Sequence, residues 1–142
     1  VEYRDVLQLH ANVRYDKRIN NLVSLSINAD YYDWNEEVSH KPNLTFDISV
    51  PINLRQKIKI TPFFEYKGQM ISYAFSSQSH FEGAIEEILP AQFHFNLGLQ
   101  YNYSKILSAY LELNNLKGSN KELWRDYQEI GFNGVFGLSY SF

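Results

Sequence analysis

The chain has 142 residues, enough for one domain or part of one. It carries no cysteine, which excludes a disulfide framework and any Cys-based zinc or redox site. A net charge of −3 leaves no basic stripe for nucleic acid, and a mean hydropathy of −0.37 with no long apolar run excludes a transmembrane helix.

Neither property excludes a membrane-spanning strand, of which only every second residue meets lipid. Aromatics make up 16% of the chain, with 11 Tyr and 10 Phe against a single Met, a balance that favours strands and membrane interfaces over helical cores.

Residues 6–15 alternate, with Leu7, Leu9, Ala11, Val13 and Tyr15 on one face and Gln8, His10, Asn12 and Arg14 on the other. A polar turn over 16–21 leads to residues 22–32, where Val23, Leu25, Ile27, Ala29 and Tyr31 oppose Ser24, Ser26, Asn28 and Asp30. After a polar loop over 33–42, the third strand, 43–52, sets Leu44, Phe46, Ile48, Val50 and Ile52 against Asn43, Thr45, Asp47 and Ser49. A tight turn at 53–56 precedes the fourth strand, 57–67, inside which Pro62 deletes a ladder donor and predicts a local bulge or distortion.

Residues 68–91 form the longest connection. Ile71, Tyr73 and Phe75 alternate briefly, whereas Phe81, Ile85, Ile88 and Leu89 have helical spacing and predict a short helix ending before Pro90. The fifth strand, 92–103, carries the clearest signal, with Phe93, Phe95, Leu97, Leu99, Tyr101 and Tyr103 opposite Gln92, His94, Asn96, Gly98, Gln100 and Asn102. A very short turn at 104–106 leads to the sixth strand, 107–114, and a long polar connection over 115–130 leads to the terminal strand, 131–142. There Phe132, Phe136, Leu138, Tyr140 and Phe142 share one face.

Two regularities go beyond a list of strands. The connections alternate between short and long, the order of periplasmic turns and extracellular loops in outer-membrane barrels. The apolar faces contain no Asp, Glu, Lys or Arg, although these make up 20% of the chain. A Lys or Arg facing lipid at mid-membrane costs about 2–4 kcal/mol, which accounts for the exclusion. With the terminal Phe on the periplasmic side, Tyr15, Tyr101, Tyr103 and Tyr140 collect at one boundary and Tyr31, Tyr66, Phe93 and Phe132 at the other, as two aromatic girdles.

The segments LPAQFHFNLGLQYNYSKILSAYLELNNL (89–116) and GFNGVFGLSYSF (131–142) together resemble the C-terminal barrel of TonB-dependent receptors, with Leu113-Asn114-Asn115-Leu116 in the place of that family's asparagine-rich motif. The likeness covers roughly the last 55 residues of the chain and is generic before them. It implies an all-β, antiparallel transmembrane β-barrel meander of about seven long strands, over 1–142, as the C-terminal part of a larger barrel. It also implies nutrient uptake across a bacterial outer membrane. The family's plug and energy-coupling segment have no counterpart in this sequence. The partners implied are outer-membrane lipid, the barrel-assembly machinery, and an upstream plug and barrel segment or a partner chain. Phe136, Leu138, Tyr140 and Phe142 match the family's assembly signal. The other reading is a smaller structural or adhesive barrel whose extracellular loops bind a partner protein.

Strand parity bears on closure. Seven alternating strands begin and end in the same direction, so an antiparallel barrel is expected to need at least one further strand before Val1.

No catalytic constellation stands out, and no cofactor is expected. His10 and His94 fall mid-strand on polar faces and are expected to hydrogen-bond there, while His40 and His80 fall in loops and are expected to be solvated. Glu36, Glu37 and His40, and likewise Glu82, Glu86 and Glu87, have spacings a divalent cation could use, but a solvated face is the expected reading and no metal is assigned. The ligand-binding candidates are the loop aromatics Trp34, Tyr73, Phe75, Trp124 and Tyr127, which can stack on sugars or apolar ligands.

Overall fold

The computed structural model describes residues 6–36, 38–75, 84–118, 122–124 and 127–141. The described residues are all-β and antiparallel, with twelve strands and no helix. Seven long stretches form one sheet: β1 (Gln8–Arg18), β2 (Ser24–Trp34), β3 (Leu44–Ser49), β5 (Ile58–Lys67), β8 (Gln92–Asn102), β9 (Leu107–Asn114) and β12 (Asn133–Tyr140) lie side by side in that order. The short β4 (Ile52–Leu54) continues β3 against β5. Two hairpins, β6 (Met70–Phe75) with β7 (Ala84–Leu89) and β10 (Glu122–Trp124) with β11 (Tyr127–Gln128), rise from the long connections. The sheet is not closed: among the described residues β1 pairs only with β2, and β12 only with β9.

Alternation within each strand becomes a two-faced sheet only if the register keeps like residues together, because a slip of one residue turns a strand over. Here it does. Ala29 faces Phe46, Phe46 faces Tyr66, Tyr66 faces Phe93, and further along Leu99 faces Leu111 and Leu111 faces Phe136. Leu25, Ile48, Leu97 and Leu111 thus share one face, and Asn28, Asp47, Asn96 and Glu112 the opposite one. Charges enter the apolar face only at strand ends, as Lys17 beside the short turn and Asp33 beside the long loop. That face is open to its surroundings, with Val13 67%, Phe136 68% and Leu138 67% exposed.

The strands are staggered as well as paired. A row of partners that begins at Tyr15, close to the short β1–β2 turn, runs through Ile27, Ile48 and Phe64 to Phe95, close to the loop end of β8. Measured from the short turns, the offset is about one residue per strand. One residue of rise (~3.3 Å) per ~4.8 Å of strand spacing is a tilt of roughly 35°, within the range that barrel closure requires.

Two prolines act across this register. Val50 donates to the Pro62 carbonyl at 3.1 Å and Ser24 to the Pro51 carbonyl at 3.0 Å, but neither proline has an N–H to return the bond. The expected distortion at Pro62 therefore does not fall on its own strand. The β5–β8 register runs unbroken from Ile58↔Tyr101 to Lys67↔Gln92, and the neighbouring strand is split into β3 and β4 instead.

The helix expected around Phe81, Ile85, Ile88 and Leu89 is a strand where it is described: β7 pairs with β6 through Met70↔Leu89 and Ile71↔Ile88. Phe81 lies outside the described residues. A segment this short is marginal as a helix without packing, and pairing with β6 satisfies the backbone groups along one of its edges. Strand ends also move by a few residues, since β1 continues through Arg18 where a turn was expected.

Candidate functional site: the loop-end cleft

Four constraints build a cleft at the loop end of the sheet. β2 ends on Trp34, and Asn35 then locks to the start of β1, its amide donating to the Leu7 carbonyl at 3.2 Å and its side chain accepting from the Leu7 amide at 2.7 Å. The 35–43 loop crosses to the β6–β7 hairpin, where the His40 amide donates to the Ile71 carbonyl at 2.7 Å. His40 makes this turn at φ 59, a left-handed conformation, with its Nδ1 2.7 Å from the Ser39 hydroxyl. Gly68 brings the end of β5 against the Leu44 backbone, its amide bonded to the Leu44 carbonyl at 2.8 Å.

A Cβ on Gly68 would stand 3.0 Å from that carbonyl oxygen, and backbone gives way poorly. Gly68→Ala is expected to cost about 1–3 kcal/mol in urea unfolding, as overpacking at a close approach does. A melt unchanged from wild type would show that the corner relaxes.

The resulting cleft has a volume of about 570 Å³ and is lined by Trp34, Glu36, Lys41, Met70, Ile71 and Glu86 among others. Beneath it Met70 and Leu89 are buried and paired across the hairpin. The Trp34 indole continues a ladder of rings that climbs the polar face: His10 stacks on Tyr32 at 4.5 Å and 7°, and Tyr32 on Trp34 at 6.0 Å and 19°. His10 is held by Asp30, its Nε2 2.7 Å from the carboxylate, while Asn12 donates to the same carboxylate at 2.8 Å. The indole Nε1–H is sheltered and meets no acceptor among the described residues. A flat ring system with Lys41 and two carboxylates around it can hold a ligand that combines a planar or apolar surface with polar substituents.

Of the five aromatics expected to bind ligand, the three whose side chains are described do not converge. Trp34 lines the cleft, and Tyr73 lies on β6 opposite Glu86 but does not line it. Tyr127 stands on β11, on the other loop, 73% exposed. Phe75 and Trp124 belong to β6 and β10, and their side chains lie outside the described residues. Of the assembly-signal residues, Phe136, Leu138 and Tyr140 line up on the apolar face of β12 and are exposed, and Phe142 lies outside the described residues. Met70, Ile71 and Lys41 carried no signal in the sequence, because only the folding of one connection against another brings them to Trp34.

A second arrangement ties the last connection to the polar face. His94, on β8, is buried, and its Nδ1 lies 3.2 Å from Glu129. Asn115 adds a bond from its Nδ2 to the Ile130 carbonyl at 3.3 Å, and its own amide donates to Asn96 at 2.9 Å. His94 thus lies on the polar face within ion-pair distance of Glu129, whereas His40, expected in solvent, is half-buried. Replacing His94 by Ala is expected to free this strap and accelerate tryptic cleavage after Lys117, with the rest of the sheet protected. Cleavage at the wild-type rate would mean that the Asn115 bonds hold the strap alone.

Among the described residues no group of three His, Asp or Glu is placed to hold a metal ion. A scan of protein-family models gives no match to the chain, and a search of curated proteins gives no relative.

Proposed function

We propose that the chain is a wall segment of a bacterial outer-membrane β-barrel, with its long loops outside the cell, and that it serves nutrient uptake as the C-terminal barrel portion of a TonB-dependent receptor-like transporter. The observation that carries this reading is the register. Seven strands align their uncharged alternate residues into one exposed apolar face, with charges only at the strand ends. In water such a face would be an aggregation surface far larger than the few hundred Å² that soluble monomers tolerate, whereas in a bilayer it is the required surface. Along β8 it runs from Phe93 to Tyr101, about 27 Å of strand, or roughly 20 Å of height once tilted, close to the ~25 Å apolar band of such barrels.

The positions of the aromatics support this reading. Tyr15, Tyr101 and Tyr140 are near the short turns. Phe46, Phe64, Tyr66 and Phe93 cluster toward the loop end, with centroids 4.9 Å apart for Phe46–Tyr66 and 5.0 Å for Tyr66–Phe93. The loop-end cleft would be the first contact for an incoming solute.

The test is uptake by cells carrying the full-length gene. Energy-coupled import is expected to stop when a protonophore collapses the inner-membrane gradient, with outer-membrane levels of the protein unchanged. Uptake indifferent to the protonophore, or no uptake at all, would favour the smaller structural or adhesive barrel. Exposed apolar groups on the connections, Ile88 at 60% and Ile130 at 75%, speak for that second reading, since they could seat a partner protein.

A further inference from the structure

The structure assigns an anion site to the opposite end of the sheet: we infer that the pocket between the β4–β5 and β8–β9 turns binds a phosphate group. This pocket, about 580 Å³, opens on the polar face and is lined by Arg55, Lys57 and Lys105 with Ser104, Ser139 and Ser141, and no carboxylate of the described residues lines it. None of the three cations has an acidic partner among the described residues. Elsewhere on the same face positive groups are interleaved with Asp30, Asp47, Glu65 and Glu112, so the accumulation here is local.

The hydrogen-bonding groups have the matching polarity. The Ser104 hydroxyl oxygen already accepts from the Leu107 amide at 3.1 Å and from the Ile106 amide at 3.3 Å, which leaves its O–H to donate. The Asn102 side-chain oxygen accepts from Gln100 at 3.0 Å, leaving its NH₂ to donate into the pocket it lines. Cations and outward-directed donors without competing acceptors form the complement of a phosphate.

The backbone adds an independent sign. Arg55 and Gln56 occupy consecutive left-handed positions, φ 49 and φ 57, in a turn closed by the Lys57 amide on the Leu54 carbonyl at 3.0 Å. Such turns ordinarily take Asn-Gly, and non-glycine residues there carry strain that persists where position matters. Arg55 lines the pocket from this turn.

The phosphate can come from a lipid headgroup or from a free anion, and the two sources are separable. The full-length protein in non-ionic detergent is titrated with inorganic phosphate by calorimetry. In parallel it is melted in phosphatidylcholine vesicles with and without one-fifth phosphatidylglycerol. Saturable, salt-sensitive phosphate binding is expected, weakened roughly tenfold for each cation removed in Arg55→Gln and Lys105→Gln. If only the phosphatidylglycerol vesicles raise the melting temperature, and the double variant abolishes that rise, the ligand is a headgroup. If neither arm responds, or if both respond equally in the double variant, the site does not exist. The detergent arm does not require the chain to cross a bilayer, so its outcome is independent of the membrane reading.

Discussion

Leu97→Arg should lower the stability of the protein in lipid vesicles by about 2–4 kcal/mol, while Gln100→Arg, three residues along, should change it by less than about 1 kcal/mol. Leu97 lies between Pro62 and Leu113 on the apolar face, midway between Phe93 and Tyr101, where a charge is furthest from either headgroup layer. Gln100 lies between Lys59 and Tyr110 on the polar face and is exposed. The two substitutions introduce the same side chain on opposite faces of the same strand, three positions apart, so propensity nearly cancels and the difference reports which face meets hydrocarbon. Urea-driven unfolding from vesicles measures it. Equal losses would remove the membrane reading and leave an all-β sheet whose apolar face packs on something else.

A second large effect is expected in the loops. Leu89→Ala should cost roughly 2–5 kcal/mol, as the loss of a buried leucine does, but the loss should be confined to the β6–β7 hairpin. Leu89 is 3% exposed and Met70 1%, and the two pair directly, so the leucine truncation opens a cavity in the small core under the cleft. The hairpin is joined to the main sheet by its own short strands rather than by the seven-stranded ladder. Amide exchange should therefore rise across 70–75 and 84–89 while β8 and β9 keep their protection. A uniform rise over the whole sheet would mean that hairpin and sheet unfold as one unit.

The strands were readable where one period had no competitor. In β8 eleven residues alternate without interruption, and the neighbouring strands pair with them in the register that alternation demands. Residues 84–89 were misread because Ile85, Ile88 and Leu89 satisfy a helical spacing as well as the outline of a strand. What decides is pairing with β6, from Phe75 opposite Ala84 to Met70 opposite Leu89, which the spacing within 81–89 does not contain. Pro62 was read as a fault in its own strand, yet its missing donor is felt by the partner across the ladder, and a linear sequence does not say which strand that is.

The site was less legible than the sheet. Trp34 could be named because a tryptophan in a polar loop is conspicuous, but its neighbours Met70 and Glu86 come from a separate connection. Glu129 was invisible for the same reason, since its partner His94 precedes it by more than thirty residues. Charge exclusion from the apolar face, in contrast, is a property of every strand separately and therefore shows before any pairing is known.

The two prolines leave a mark on the water around the sheet. With no N–H from Pro51 or Pro62, the Ser24 and Val50 carbonyls lose their ladder donors in adjacent rows. Carbonyls stripped of partners are too costly to hold dry, so solvent has to reach them from the polar side. That makes the junction of β3 and β4 a wet seam in an otherwise continuous wall, and the row from which the sheet would peel first. Its amides, Ser24 and Val50 included, should be the earliest of the central strands to exchange with deuterium, ahead of the unbroken ladder between β5 and β8.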